Sequence, residues 1–295
     1  MGNVIVLMKR TSLLFLRDKA AVFSSFLSTG ILIALYFLFI GQMYTAGMTL
    51  ENGFPMSGQE KSFLVYVQMM AGVVILNSVS VSVGVFSNVA KDFETRRTEG
   101  FMLTPATAGQ ILTAYFLSGM TVSWVLSALA WVVGVVLIGA LTSYWLGFAA
   151  VAIGLGIAFA AALVSGALML LLAALVRSST ALGVISGILG TFLGFLCGIY
   201  MPYFMLGNGI EGVGSVLPFT HLTVWFKQVV LGDAAKQLGI SGAQQMSVLE
   251  ESFSAENVGL LGLDLPLPVM LGLSGLFAVG CAVAALAVLR RRVRA

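Results

Sequence analysis

Long stretches of this chain carry no charge. Residues 20–50, 62–90, 100–176, 178–210 and 265–289 contain no Asp, Glu, Lys, Arg or His. A helix that crosses a bilayer needs about 20 consecutive, mostly apolar residues, so each run is long enough for at least one span. The run 100–176 is too long for a single helix. It breaks at Leu141-Thr142-Ser143-Tyr144-Trp145, where Tyr and Trp suit a membrane–water boundary. The pattern therefore predicts six spans: about 22–45, 63–89, 110–140, 146–176, 180–201 and 269–289. All six prolines (Pro55, Pro105, Pro202, Pro218, Pro266 and Pro268) fall between them, where a missing N–H does no harm. The apolar runs are continuous, unlike the ten-residue alternating strands of a membrane β-barrel.

Composition agrees. Of 295 residues, 59% are hydrophobic and 9% charged, against about 25% charged in soluble domains. This excludes a soluble globular domain, a disordered chain and a nucleic-acid-binding protein. Cys197 and Cys281 sit in apolar runs with no disulfide framework and no metal-ligand spacing. The fold class is all-α integral membrane.

The placement of charge predicts orientation. Twelve of the fifteen Lys and Arg lie in the N-terminal segment, the second-to-third connection, the fourth-to-fifth connection or the C-terminal tail. By the positive-inside bias, these are cytoplasmic, and so are both termini. Eight of the twelve acids fall on the opposite side, where they would attract cationic solutes and repel anions. The apolar run after Lys19 is too long for a signal peptide, and an uncleaved first span is expected.

Absent groups narrow the chemistry. No Asp, Glu, Lys, Arg or His lies inside a predicted span, whereas proton-coupled carriers need such a group near the midplane. No Lys follows a Gly, so there is no Gly-Lys-Ser/Thr phosphate loop. One His and no intramembrane acid exclude a Ser/His/Asp set. The chain is not read as an enzyme: no catalytic or metal site is expected, and energy for uphill movement has to come from another polypeptide.

Four segments carry organisation. Residues 1–21 are expected to form an interfacial helix, with Val4, Leu7, Met8, Thr11, Leu14 and Phe15 on one side and Lys9, Arg10 and Arg17 opposite. The connection 90–105 packs Lys91, Asp92, Glu94, Arg96, Arg97 and Glu99 ahead of Gly100-Phe101-Met102-Leu103. The i,i+3 pairs Glu94/Arg97 and Arg96/Glu99 support a short helix ended or kinked at Gly100. A solvated charge run is the plain reading, but the apolar residues after it argue for a docking surface. In the fifth span, Gly183, Gly187, Gly190, Gly194 and Gly198 form a small-residue stripe suited to close helix contact, within one subunit or between two. In the second span, Asn77 with Ser78, Ser80 and Ser82 reads first as helix–helix hydrogen bonding and second as lining of a path. The outer connection 202–268 starts semi-apolar (Pro218, His221, Trp225) and is expected to form short helices on or dipping into the outer leaflet. His221 reads as a surface or interface residue.

In order and topology this pattern resembles the permease subunits of type-2 ABC transporters. The basic helix before the first span carries part of the resemblance. Glu94-Thr95-Arg96-Arg97-Thr98-Glu99-Gly100-Phe101-Met102-Leu103-Thr104-Pro105 is similar to that family's stretch between the second and third spans. Leu217-Pro218-Phe219-Thr220-His221-Leu222, followed by Phe226-Lys227-Gln228-Val229-Val230-Leu231-Gly232, is similar to its last outer loop. Lys227 and Phe101 stand where the family often has Arg and Thr. The resemblance implies a half-transporter of a bacterial plasma membrane, with six spans (22–295) behind a connecting helix (1–21). Two permease subunits, alike or different, would pair around a path. Two separate ATPase subunits, binding ATP and Mg, would dock at the 91–104 loop through Asp92, Glu94, Arg96, Arg97, Glu99 and Gly100. Asn77 and the glycine stripe would line the path or the dimer seam, and the outer segment would act as a lid. Export is implied by the resemblance alone. The alternatives are a ligand-binding or immunity scaffold and a passive channel.

Overall fold

A computed structural model describes residues 2–42, 56–97, 100, 106–176, 178–200, 212–240, 242–253, 255 and 266–294, and among these every regular element is a helix. In chain order they are α1 (Gly2–Arg17), α2 (Lys19–Leu35, running into a π-helical turn Tyr36–Ile40), α3 (Gly58–Glu94), α4 (Ala108–Thr142), α5 (Phe148–Val176), α6 (Ser179–Leu196), α7 (Pro218–Gln237), α8 (Ala243–Ser252) and α9 (Leu267–Arg294). Five helices (α3, α4, α5, α6 and α9) are long and apolar enough to cross a membrane, and the bent pair α1–α2 makes a sixth crossing if taken as one.

The chain turns by 74° between α1 and α2. Asp18 makes the turn: its N–H donates to Phe15 O at 3.1 Å, and its carboxylate accepts from Ala21 N at 3.0 Å, capping α2. Capping boxes start α3 (Ser57 with Glu60) and α4 (Thr107 with Gln110). The α4–α5 hairpin falls at the expected Tyr-Trp break. Ser143 ends α4 in the left-handed region at φ 64°, and the Trp145 ring folds back so closely that a Cβ on Gly139 would meet it at 2.5 Å.

α3 is the centre of the bundle, packed against α2, α4, α5, α6 and α7. Of its most apolar stretch 83% is buried, against 18% for α6. With 37 residues it is about 55 Å long at 1.5 Å per residue, so it outreaches a hydrocarbon core of about 30 Å. The fifth span ends earlier than expected. α6 stops at Leu196 and Gly198 turns the chain at φ 60°, a conformation glycine adopts without a Cβ clash.

The outer segment also differs from expectation. Residues 218–237 are not a series of short pieces but one 20-residue helix, α7, buried against α3, α5 and α9. Pro218 stands at its first turn, where the missing N–H is no loss. Across α7, the Trp131 and Phe226 rings meet edge to face at 4.9 Å. Gly154 of α5 allows the approach, since a Cβ there would come within 2.7 Å of Trp131 and 2.9 Å of Phe226.

Candidate functional site

At the basic end of the bundle, a single carboxylate joins three helices. Asp92, in the last turn of α3, is buried. It accepts from Arg10 Nη1 at 2.7 Å and Nη2 at 3.1 Å, and from the Tyr115 hydroxyl of α4 at 3.1 Å. Arg97 Nη1 lies 4.0 Å away. Such a forked arginine–carboxylate pair is both strong and directional. The Asp92 hydrogen bonds raise the pKa of Arg10 further, against the opposing effect of burial. Arg10 was expected opposite the apolar side of α1. It points inward to Asp92 instead, while Lys9 and Arg17 stay exposed. Farther along α1, Phe15 is buried, and its ring sits 2.5 Å from where a Cβ on Gly84 of α3 would stand. Asp92 is therefore enclosed by its own chain.

Glu94 is exposed and bridges to α6. Its Oε2 accepts from Ser179 N at 3.2 Å and Ser179 Oγ at 3.0 Å, while Ser178 caps the same helix from Ala181 N. A carboxylate at a helix N-terminus is favoured by the unpaired N–H groups there. The expected Glu94/Arg97 pairing is thus replaced: Glu94 holds α6, and Arg97 leans toward Asp92. The break falls before Gly100: α3 stops at Glu94 and Arg96 turns left-handed at φ 55°, while Arg97 and Gly100 are again helical. Gly100 is exposed. Glu99 and 101–105 lie outside the described residues.

Between α2, α3 and α6 runs a groove of about 570 Å³. α3 contributes Ser80, Ser87, Asn88 and Lys91, α2 contributes Ser24, and α6 contributes Thr191. On α3 these positions, with Gly84, recur at helical spacing along one face. Gly183, Gly187 and Gly190 form the α6 wall, and a Cβ on any of them would meet nothing within 4 Å. Gly194 instead lies against the Tyr200 ring. The stripe thus divides: three glycines open onto the groove, and Gly194 and Gly198 shape the end of α6.

Asn77 does not line this groove. It is buried, accepting from Thr29 Oγ1 of α2 at 3.0 Å and donating to Ser127 Oγ of α4 at 3.1 Å. Ser82 meets Ser165 of α5 at 3.0 Å, and Ser123 of α4 donates to the Ser78 carbonyl at 2.7 Å. Asn77, Ser78 and Ser82 bind α3 to its neighbours, whereas Ser80 and its helical repeats face the groove. Reading the spacing beyond Ser82 to Ser87, Asn88 and Lys91 would have separated the two faces.

The opposite end is held by α7. His221 donates from Nε2 to Ser215 O at 2.7 Å, and burial pushes its imidazole below the ordinary value despite that bond. Trp225 is half-buried against the core. The residue that sequence reading missed is Lys227. It is fully buried and donates to Gly198 O at 2.7 Å and Phe253 O at 2.9 Å. It therefore ties the turn after α6 to the residue following α8. Burial pushes its ammonium down to about 7, which the nearby Cys197 only partly opposes. On the same side, Asp233 accepts from Gly147 N at 2.6 Å, capping the start of α5.

Among the described residues no three His, Cys, Asp or Glu side chains gather as a metal site would require. What the arrangement provides is physical. A hydroxyl-lined groove lies in a spanning bundle, walled by a thinly packed helix whose first turn is gripped by the charged end of α3. No curated protein matches the chain. The family model described as ABC-2 family transporter protein matches residues 51–289, from just before α3 to the end of the α9 span. The chain belongs to the ABC-2 transporter family, as a multi-pass membrane permease.

Proposed function

We propose that this chain is the path-forming subunit of an ATP-driven exporter in a bacterial plasma membrane, with its basic end cytoplasmic. A second permease subunit closes the groove, and separate ATPase subunits, which bind ATP and Mg, dock at residues 90–105. The observation that carries this reading is the polar groove beside α6. Hydroxyl and amide groups facing hydrocarbon are costly, so the groove calls for water, a solute or a partner helix. The wall of exposed Gly183 and Gly187 and half-buried Gly190 gives a partner helix or solute close access. The Glu94–Ser179 contact supports a coupling route: a push on the 90–105 segment is delivered to the first turn of α6. Asp92 and Arg10 serve that route by fixing α1 to α3 rather than by touching the ATPase, while Arg96, Arg97, Glu99 and Gly100 are the docking candidates.

The test is flux in liposomes. The chain reconstituted with the ATPase that co-purifies from native membranes is expected to move solute only with ATP. Cysteines at Arg97 and Gly100 are expected to cross-link to that ATPase. Flux by the chain alone would make it a passive channel, and ligand binding without flux would make it a scaffold.

A further inference from the structure

A second groove lies nearer the start of α3 and shares no lining residue with the polar one. It is a slot of about 300 Å³ between α2, α3 and α4, with walls that include Ile33, Met69, Val73 and Val133 and are almost wholly apolar. Gly134 shapes it, because a Cβ there would collide with the Met70 side chain lying across α4. The α4 rim (Leu129, Val133, Leu137 and Leu141) is exposed, so the slot opens toward whatever surrounds the spans, which in a multi-pass membrane protein is lipid. At one end the chemistry changes abruptly. The slot shares Tyr66 and Leu141 with a vestibule of about 490 Å³ that is lined by Ser57, Gly58, Gln59 and Ser62. The Ser57 oxygen accepts from Glu60 N and keeps its own proton to donate, and the exposed Gln59 amide adds two more donors. Glu60 stands in the same turn, its carboxylate engaged by Ser57 N and the Tyr144 hydroxyl.

We infer that this slot and vestibule hold one membrane phospholipid, with an acyl chain between α2 and α4 and an amine-bearing zwitterionic headgroup at the start of α3. The apolar slot suits the chain, the serine and amide donors suit the phosphate, and Glu60 favours an ammonium beside it over a net negative headgroup. The polarity gradient across these two adjoining cavities sets this occupant apart from a partner helix, which would need an apolar face along its full length. The site is separate from the polar groove and does not depend on the exporter reading.

Native mass spectrometry tests it on the full chain, extracted in mild detergent from membranes of mixed phosphatidylethanolamine and phosphatidylglycerol. The expected result is one phosphatidylethanolamine retained per chain. At least a tenfold loss is expected in Ala130→Trp, which fills the slot, and no loss in Leu276→Trp, on the exposed face of α9. Retention of phosphatidylglycerol instead, or undiminished retention in Ala130→Trp, overturns the proposal. A second measurement needs no variant: a phosphatidylethanolamine with a photoreactive acyl chain is expected to label Met69, Met70 and Val133 well above Leu276. Equal labelling of both faces, or cross-linking of two chains through the slot, overturns it as well.

Discussion

Asp92→Asn keeps the shape of the side chain and removes its charge. The carboxylate takes two N–H groups of Arg10 and the Tyr115 hydroxyl, and an asparagine can accept at only one of its two terminal atoms. At least one charge-assisted bond is lost, worth about 1.5–3 kcal/mol when buried. The Arg10 side chain is 29% exposed, so water recovers part of that, and about 1–2 kcal/mol is expected to remain. The change should fall on α1, whose docking depends on this contact, rather than on the bundle as a whole. Hydrogen exchange of the reconstituted chain measures it: α1 amides should open more readily by that amount while α9 is unchanged. A double-mutant cycle with Arg10→Gln isolates the pair, with an expected coupling of about 1–2 kcal/mol. If the two substitutions add to within about 0.3 kcal/mol, or if protection falls equally across all helices, Asp92 does not hold α1 and the lock is refuted.

Lys227→Met leaves the Gly198 and Phe253 carbonyls without their donor, at about 1–3 kcal/mol for each buried acceptor, and should lower the melting temperature of the purified chain. The wild type should also gain stability as pH rises from about 7 to 10.5, because across that window the unfolded chain holds the Lys227 proton and the folded chain does not; a Lys227→Met chain that keeps the same slope would refute this. A Cβ at Gly187 would meet no neighbour within 4 Å, so in Gly187→Leu thermal stability should stay within about 0.5 kcal/mol, as for changes away from packed sites, while ATP-dependent flux falls at least tenfold; unimpaired flux would remove α6 from the path. Asp233→Ala removes the cap on α5 and should cost about 1 kcal/mol, read as faster exchange confined to the α4–α5 turn.

The membrane architecture was legible in the sequence because hydrocarbon is an unforgiving solvent. Backbone groups with no water to bond must form helices, and charges are excluded from them, so uncharged runs marked the spans of α3, α4, α5, α6 and α9 within a few residues. The Tyr-Trp break and the position of Pro218 were equally readable, since both are local. The functional geometry was not, because it depends on which side of each helix meets which neighbour. Hydropathy saw Asn77, Ser78 and Ser80 as one polar cluster; packing turned Asn77 toward α2 and α4, tied Ser78 to α4 and left Ser80 to the groove. Arg10 looked solvated until Asp92, more than eighty residues away, arrived beside it. The semi-apolar stretch from 218 read as short helices at the outer leaflet, and nothing local to it shows that Lys227 can be buried. Only the carbonyls of Gly198 and Phe253, supplied by two other segments, make that burial tolerable. Sequence by itself set where this chain must be helical and apolar; the tertiary structure decided which polar groups are spent on holding the helices together and which face the groove.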